Sequence, residues 1–448
     1  MGQDSTKNPP NFIVIFADDL GYGDLGCYGH PTIRTPHLDQ MAAEGQKWTN
    51  FYVAASVCTP SRAGLLTGRL PVRSGMASHK SRVLFPNSVN GLPASEITLA
   101  EQLKKGGYAT ACIGKWHLGH KEQYLPTNNG FDYYFGIPYS NDMDFVGKKA
   151  YKKVMADKDS IKPSDFNVPL MRNTKIVERP AQQHTITKRY AEEAIDFIKK
   201  KKKYPFFIYL AHSLPHIPLF ASEDFRGKSK RGLYGDVLEE IDHGVGQILK
   251  TLREEGLADN TIVVFTSDNG PWLSHFTHGG SAGLLYAGKG STWEGGMREP
   301  GIFWGPGHVK PGVISDLGST LDLFATFSQL AELEIPKDRP MDGFDLSGTL
   351  SNHISSPRES ILYYRGTEVF AARLGDFKAH YTTQGAYGQF GPREDHAVPL
   401  LYNLSVDPSE AFNIAEEHPE IIREINTMVK AHKENMVMGK DQLAERVD

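Results

Sequence analysis

The chain has 448 residues, of which 40% are hydrophobic and 23% are charged, a composition that excludes disordered, collagenous and coiled-coil proteins. Its 49 Lys and Arg against 53 Asp and Glu give a net charge of -4, so we expect no nucleic acid and no membrane as a partner. No stretch approaches the roughly 20 consecutive apolar residues of a membrane span, and the three cysteines, Cys27, Cys58 and Cys112, are too few for a disulfide scaffold.

Four short apolar runs predict β-strands that are buried on both faces. They are Phe12–Phe16, Ala109–Ile113, Phe206–Leu210 and Ile262–Phe265. Helical patterns fall between them, at Thr98–Lys105, which opens with a capping box, and in an apolar stripe from Leu238 to Leu252. Five lysines at 199–203 predict a solvated helix end. The alternation of strands and helices predicts an α/β fold with a mostly parallel sheet.

After roughly residue 350 the pattern changes to short, closely spaced strands followed by one helix. The strands are predicted at Ile361–Tyr364, Phe370–Leu374 and Phe377–Tyr381, and the helix at Pro419–Lys433. This pattern predicts a small α+β unit at the C-terminus. We therefore expect two domains, 1–356 and 357–448.

Polar side chains follow each of the four long apolar runs. They are Asp18 and Asp19, Lys115 and His117, His212 and His216, and Asp268 and Asn269. Ligands of open α/β sheets bind beyond the carboxyl ends of the strands, so we expect these groups to meet in one crevice. The oxygen donors of the Asp and Asn residues suit calcium or magnesium better than zinc. The alternative is that these residues form helix caps and a turn.

Two motifs in the glycine-rich segment 279–290 lack the context that their chemistry needs. Gly283–Lys289 matches the start of a P-loop, but Gly290 replaces the Ser or Thr that binds magnesium, and no strand precedes it. Gly279–Gly283 matches a nucleophile elbow around Ser281, but it too follows a polar segment instead of a strand. Both matches are attributed to chance in a glycine-rich loop, although Lys289 stays a candidate cation.

The segment Cys58-Thr59-Pro60-Ser61-Arg62, which continues to Leu66-Thr67-Gly68, carries the most specific pattern of the chain. Pro60 fits the first turn of a helix, so Cys58 is predicted near the positive end of a helix dipole. Taken alone, such a cysteine is either an activated thiolate or an inert buried thiol. The full pattern resembles the signature of the type I formylglycine-dependent sulfatases, in their arylsulfatase A and N-acetylgalactosamine-6-sulfatase group.

Further segments extend this resemblance over nearly the whole chain. They are Phe16–Gly21 and Asp268–Gly270, which resemble the two halves of the calcium site, and Gly114–Gly119, Gly136–Ser140, His216–Pro218 and Gly288–Gly290, which resemble the segments around the sulfate. The resemblance implies an alkaline phosphatase-like sulfatase fold, with a large mixed, mostly parallel sheet flanked by helices. It also implies an antiparallel sheet in the small C-terminal domain.

The activity that the resemblance implies is hydrolysis of sulfate monoesters, aryl or carbohydrate. Cys58 would be converted to formylglycine by a maturating enzyme that acts on the unfolded chain, and the hydrated aldehyde would be the nucleophile. Calcium, or alternatively magnesium, would be held by Asp18, Asp19, Asp268 and Asn269 and would bind the converted Cys58.

The resemblance also assigns the remaining polar residues of the site. Arg62 and Lys115 would hold the hydrate, Lys289 and Ser140 would bind sulfate together with Lys115 and His216, His117 would be the base and His216 the acid. His212 is predicted to be structural. Trp272, Tyr286 and Trp293, which flank Lys289, would either pack the loop or stack against a sugar or aryl group.

Alternatives to a sulfatase stay open at this point. One is a phosphate or phosphonate monoester hydrolase of the same superfamily, another a non-catalytic binder of sulfated glycans with unmodified Cys58, and a third a serine esterase using Ser281. The chain departs from the arylsulfatase A pattern in lacking its many disulfides and in carrying Asn141 where a histidine is expected. We expect a sulfated small molecule or glycan as substrate, and export to the periplasm or extracellular space, with a signal peptide outside this sequence.

Overall fold

The computed structural model describes residues 9–147, 150–156 and 160–447, and the elements named below lie within these ranges. The larger sheet has ten strands, Asn11–Ala17 (β1), Gln46–Tyr52 (β2), Ala109–Gly114 (β3), Tyr133–Gly136 (β4), Leu170–Arg172 (β5), Lys175–Glu178 (β6), Phe206–Ala211 (β7), Thr261–Ser267 (β8), Arg298–Trp304 (β9) and Gly312–Ser319 (β10). The smaller sheet has four strands, Ser360–Arg365 (β11), Glu368–Leu374 (β12), Phe377–Thr383 (β13) and Glu394–Asn403 (β14). The helices are Pro36–Glu44 (α1), Cys58–Thr67 (α2), Pro71–Ser74 (α3), Leu99–Lys104 (α4), Tyr151–Ala156 (α5), Ile186–Lys201 (α6), Leu233–Glu254 (α7), Glu294–Met297 (α8), Asp322–Leu330 (α9), Ser347–Asn352 (α10) and Pro419–Glu434 (α11).

The larger sheet is mixed but mostly parallel, as predicted. Its strand order is β10-β2-β9-β8-β1-β7-β3-β4-β5-β6. The central strands β8, β1, β7, β3 and β4 run parallel to one another, whereas β9 is antiparallel to β2 and β8, and β5 is antiparallel to β4. The four strands predicted from continuous apolar runs are β1, β3, β7 and β8, which are adjacent in the middle of the sheet. Their carboxyl ends therefore face one common edge.

Helices cover both faces of this sheet, which explains why its central strands are apolar at nearly every position. Ile13 and Ile15 of β1 pack with side chains of α1, α6 and α7 on one face. Phe12, Val14 and Phe16 point to the other face and pack with α2, α4 and α9. The predicted capping box of α4 is present, since Thr98 and Glu101 bond to each other's backbone N–H. Lys199–Lys201 form the last turn of α6, as predicted for the lysine run.

The C-terminal domain contains the predicted antiparallel sheet, in the order β11-β12-β13-β14, with α11 packed on β12 and β13. It is joined to the larger domain by an apolar cluster that includes Tyr52 and Tyr363. A buried group of charges around Lys378 adds to this contact, with its Nζ 2.9 Å from Glu294 Oε1 and from Glu410 Oε1. In the part of the chain that the structure describes, no helix is long and apolar enough to span a membrane.

Candidate active site

The polar residues that follow β1, β3, β7 and β8 meet at the carboxyl edge of the sheet, as the sequence predicts. Gly114 makes this convergence possible at the end of β3. Its φ is +109°, and a Cβ there would lie 1.8 Å from the Ala211 carbonyl oxygen of β7, so glycine is required. Lys115 follows directly and is fully buried.

Cys58 is the first residue of α2, and its side chain lies among charged groups of the site. Its Sγ is 3.6 Å from Asp18 Oδ1 and 3.6 Å from Lys289 Nζ. Val57, the N-cap residue, makes no side-chain cap, so the positive end of the α2 dipole faces this region without a side-chain acceptor at the cap. Burial raises the pKa of the Cys58 thiol well above its usual range, and the lysines only partly oppose this effect. An unmodified Cys58 is therefore a neutral thiol at physiological pH.

Three cations pair with three carboxylates around Cys58. Arg62 donates to Asp268 Oδ2 from Nε and Nη2, at 2.9 and 2.7 Å. The other two ion pairs join Lys115 Nζ to Asp18 Oδ2 at 2.6 Å and Lys289 Nζ to Asp19 Oδ1 at 2.7 Å. Arg62 Nη1 also donates to the Lys115 carbonyl oxygen at 2.9 Å, which fixes α2 to the segment after β3. Arg62 and its partners are thus placed by each other rather than by solvent.

The three carboxylates have unequal pKa values because they share one buried space. Burial raises the pKa of Asp19 to about 7, and the nearby Asp18 and Asp268 add to the rise against the charge of Lys289. The pKa of Asp268 is raised for the same reasons, burial first and the charge of Asp18 second. Burial acts in this direction on Asp18 too, but Lys115 and the other cations outweigh it and hold its pKa well below the usual range. Further positive charge would therefore stabilise the ionised cluster.

The same carboxylates and Asn269 present oxygen atoms that fit a hard divalent cation as ligands. Asp19 N donates to Asp268 Oδ1 at 3.2 Å, and Asn269 Nδ2 donates to Asp19 Oδ1 at 2.7 Å, so the predicted ligand residues form one linked group. Asn269 Oδ1 is buried without a hydrogen-bond partner. A cation with oxygen ligands would give this buried amide oxygen a partner, and it would also reduce the repulsion between the neighbouring carboxylates. One atom each of Asp18, Asp19, Cys58 and His216 also lies within 4.8 Å of the others.

Ser140 and His216 form a second polar contact at the edge of this cluster. His216 Nδ1 donates to the Ile217 carbonyl oxygen at 2.6 Å, so its Nε2 is left as the acceptor nitrogen. This Nε2 is 3.3 Å from Ser140 Oγ and 3.6 Å from Asp19 Oδ2. Ser140 Oγ in turn accepts from Lys115 Nζ at 3.2 Å. Burial, reinforced by the charge of Lys289, holds the pKa of His216 well below its usual range.

His117 is held by groups that the sequence did not indicate. Its Nε2 is 2.9 Å from the Leu84 carbonyl oxygen, and its own carbonyl oxygen accepts from Thr59 Oγ1 at 3.0 Å. The proton therefore resides on Nε2, and Nδ1 is buried without a partner. Burial and the charge of Lys115 lower the pKa of His117 well below the usual range. Thr59 lies inside the Cys58 signature, but its contact with His117 requires the folded loop.

Two of the predicted site residues have a strained backbone. Asp19 has a φ of +65° and His117 a φ of +59°, in the left-handed region that non-glycine residues rarely adopt. Each such residue costs on the order of 1–3 kcal/mol, so the surrounding contacts must hold it in place. Strain at these two positions marks them as residues whose side-chain direction matters.

The aromatic residues near Lys289 divide into two groups. Trp272 lies against the site, with Lys289 Nζ 4.4 Å from its ring centroid and the His216 ring at 5.4 Å. Tyr286 and Trp293 instead contact each other and pack towards the C-terminal domain. His212 is buried behind the cluster, with the Tyr190 ring at 6.2 Å, and burial lowers its pKa to about 4.

The glycine-rich segment 279–290 provides no evidence for the two rejected motifs. The element that precedes it is a 3-10 helix, Leu273–His278, where both a P-loop and a nucleophile elbow require a strand. Its contribution to the site is Lys289. The structure therefore agrees with attributing both matches to chance.

Comparison with known proteins assigns the chain and its fold to one family. The model of the family described as "Sulfatase" matches residues 10–333, and that of the "C-terminal region of aryl-sulfatase" matches residues 356–447. Human arylsulfatase A is 41% identical over 473 residues, which cover 99% of this chain and 92% of that protein. Human N-acetylgalactosamine-6-sulfatase is 41% identical over 483 residues, covering 99% and 89%. The crystal structure of a sulfatase from Pseudoalteromonas sp. superposes with a TM-score of 0.85 at 29% identity, covering 96% of this chain and 92% of that one.

Proposed function

The chain belongs to the sulfatase family, whose members are sulfuric ester hydrolases, and we propose that it cleaves sulfate monoesters of carbohydrates or aryl alcohols through a formylglycine derived from Cys58. The observation that carries the proposal is the position of Cys58. It begins a buried helix, lies 3.6 Å from both Asp18 and Lys289, and occupies the first place of a complete sulfatase signature. The hydrated aldehyde would supply an oxygen nucleophile and a second hydroxyl whose deprotonation releases sulfate.

We propose calcium as the cofactor, with magnesium as the alternative, held by Asp18, Asp19, Asp268 and Asn269 next to the converted Cys58. The all-oxygen residue set and the unpartnered Asn269 Oδ1 support this assignment. The cation would supply Lewis-acid polarisation of a sulfate oxygen. Arg62 holds Asp268 in this group through two hydrogen bonds, so it acts on the metal site as well as on the charge balance.

The sulfate group would be bound by Lys289, Lys115 and Ser140, which converge on the space beside Cys58. Lys115 Nζ contacts both Asp18 and Ser140, so this lysine positions the serine hydroxyl while adding positive charge. The two histidines would move protons. His117 Nδ1 is the free acceptor for a hydroxyl proton. His216 Nε2 carries no proton in the substrate-free site; the negative charge of a bound sulfate monoester would favour its protonation, and it would then deliver that proton to the leaving oxygen.

Maturation and export belong to the same proposal. Cys58 is 2% exposed in the folded protein, so an enzyme that converts its side chain must act on the unfolded chain. The substrate partner would be a sulfated glycan or small molecule. We also propose export to the periplasm or extracellular space, which fractionation of the source cells tests.

Mass analysis combined with sulfate release tests the nucleophile. The peptide containing Cys58 should carry the mass of formylglycine, and the converted fraction of different preparations should be proportional to sulfate release from 4-nitrophenyl sulfate. Cys58→Ala should release no sulfate, while the matched control Cys27→Ala should retain activity, because Cys27 lies outside the site. Sulfate release by a fully unconverted preparation at the rate of a converted one would refute the proposal.

The remaining alternatives have their own discriminating variants and substrates. A serine esterase requires that Ser281→Ala abolish activity, whereas our proposal requires that it leave sulfate release intact. Matched aryl esters of sulfate and phosphate compare the two hydrolase reactions directly. Much faster phosphate release would contradict the assignment to sulfate.

A further inference from the structure

A cavity of about 270 Å³ lies beside the candidate active site, where the larger domain meets the C-terminal sheet. Its lining includes Pro60, two residues after Cys58, and Gly290, the residue after Lys289. On the other side it is lined by the β11–β12 hairpin. Its volume is just below the lower end of the range typical of small-molecule pockets, about 300–1,000 Å³. The cavity therefore adjoins the proposed reaction centre and has room for a small polar group.

Positive charge dominates the lining of this cavity. Arg82, Arg365 and Arg393 supply three guanidinium groups, against the single carboxylate of Glu368. Arg393 is already paired with Glu368 at 2.8 Å and with Asp395 at 3.0 Å. Among the ion pairs of the described residues, Arg82 and Arg365 have no carboxylate partner. The cavity thus carries two cations whose charge is not neutralised by the protein.

Both arginines contact other groups of the protein, but none of these groups is an anion. Arg365 Nη1 donates to the carbonyl oxygens of Gln384 and Gly385, at 2.8 and 3.0 Å. The Arg82 guanidinium lies 4.7 Å from the centroid of the Tyr387 ring. Burial, together with the nearby charge of Arg82, lowers the pKa of Arg365 to about 10. Arg82 is solvent-exposed and Arg365 is half-buried. Two neighbouring cations whose charges disfavour each other are arranged to receive a negative group.

The cavity is connected to the reaction centre through a short series of contacts. Tyr387 contacts Trp272 with ring centroids 4.7 Å apart, and Trp272 contacts Lys289, which would bind the sulfate. A Cβ added to Gly290 would lie 3.3 Å from Arg82 Nη1, so Arg82 is next to the backbone that carries Lys289. A substrate larger than one sugar could therefore place a neighbouring group against Arg82 and Arg365.

We infer that this cavity binds a second anionic group of the substrate, a carboxylate or a further sulfate on the sugar next to the one that loses its sulfate. The inference rests on the proposed sulfatase function and narrows its substrate class. The preferred substrates are acidic carbohydrates with at least two negative groups, rather than aryl sulfates. Arg82 and Arg365 are specificity residues that bind this second group and take no part in breaking the S–O bond.

Three disaccharides that share one sulfate ester test the inference. One carries a carboxylate on the neighbouring sugar, one carries a second sulfate there, and one is neutral at that position after reduction of the carboxyl group. For the wild-type enzyme, kcat/KM should be higher for one or both acidic disaccharides than for the neutral one. Arg82→Gln should lower the ratio of kcat/KM for the acidic disaccharide to kcat/KM for the neutral one about tenfold. This is the effect expected when one charge-assisted hydrogen bond is lost. Which acidic disaccharide is preferred distinguishes the carboxylate from the sulfate.

Matched controls separate specificity from general damage. Arg226→Gln, which replaces an exposed arginine that does not line the cavity, should leave the ratio as in the wild type. Arg365→Gln should lower the ratio as Arg82→Gln does. Equal losses on 4-nitrophenyl sulfate and on the acidic disaccharide in both variants would overturn the inference. So would a wild-type enzyme that treats acidic and neutral disaccharides alike.

A binding experiment keeps this inference distinguishable from the proposed function. Protein with unconverted Cys58 is titrated calorimetrically with the acidic and the neutral disaccharide, so no turnover is needed. The acidic one should bind more tightly to the wild type, and Arg82→Gln should weaken its binding about tenfold. Failure of converted enzyme to release sulfate from any ester would refute the proposed function, whereas equal binding of the two disaccharides would refute the cavity inference alone.

Discussion

Replacing Lys378 by methionine tests the reasoning about buried charge at the contact between the two domains. Lys378 is fully buried on β13, and its Nζ donates to the Thr292 carbonyl oxygen and to Glu294 Oε1, both at 2.9 Å. It also lies 2.9 Å from Glu410 Oε1. Methionine keeps an unbranched apolar stem but removes the shared cation. Glu294 and Glu410 then remain buried with less compensation.

The expected loss in free energy of unfolding is about 3 kcal/mol, because removing one partner of a buried ion pair costs roughly 3–5 kcal/mol. The lower end applies because Glu294 keeps Arg298 at 3.6 Å and accepts a hydrogen bond from the Tyr363 hydroxyl. As a matched control, Lys337→Met removes a lysine whose side chain is 78% exposed and paired with Glu334. That exposed pair is screened by solvent, so the free energy of unfolding should stay close to the wild-type value.

The assay is urea unfolding, followed by tryptophan fluorescence and far-UV circular dichroism on the same samples. Glu410→Gln and the double variant Lys378→Met/Glu410→Gln complete a double-mutant cycle. The double variant should lose less than the sum of the single losses, with a coupling on the order of 1–3 kcal/mol, since it no longer buries the Glu410 carboxylate without its cation Lys378. A loss below about 1 kcal/mol for Lys378→Met, or strictly additive losses, would refute the reasoning.

Three further predictions concern the site and its surroundings. His216→Ala should lower kcat by about 10²–10⁴ on carbohydrate sulfates but far less on 4-nitrophenyl sulfate, whose phenolate leaves without a proton; equal losses would contradict the role of His216 as the acid. Calcium at 100 times its Kd should add about 2.7 kcal/mol to the free energy of unfolding of the protein with unconverted Cys58. Scanning calorimetry should show this as a higher Tm, and Asn269→Ala should reduce the rise. Burial opposes ionisation of Glu294, but Lys378 and the nearby arginines outweigh it and lower its pKa from 4.5 to about 2. The unfolded chain therefore binds more protons, so the contribution of Glu294 should be full above pH 4.5 and lost as the pH falls towards 2, and Glu294→Gln should flatten that part of the stability profile.

The central part of the fold was predictable because it is buried on both faces. β1, β3, β7 and β8 lie in the middle of the sheet and are apolar at nearly every position, which a sequence pattern records directly. β2 was not predicted, since Gln46–Tyr52 mixes polar and apolar residues beside the antiparallel strand β9. β14 begins with the charged residues of Glu394–Asn403 and has an exposed face. The mixed character of the sheet followed only from the family resemblance.

The site was predictable where its residues follow strands, and not where distant loops meet. Asp18, Lys115 and Asp268 each come directly after a central strand, so their convergence follows from parallel strand order. The contact of Leu84 with His117 and that of Arg82 with Tyr387 join segments with no shared pattern. Such contacts depend on how loops pack after folding, and a single sequence carries no local signal for them.

The charges of the site explain how a protein with a net charge of -4 can bind an anion. The three ion pairs of the cluster balance its carboxylates against Arg62, Lys115 and Lys289, so the ionised residues alone have no net charge. A divalent cation would raise the net charge of the cluster to +2, and a bound sulfate monoester would lower it to +1. One positive charge then remains for the negative charge that develops on the leaving oxygen. We therefore expect calcium removal to weaken the binding of inorganic sulfate to the protein, which would not follow if the lysines alone held the anion.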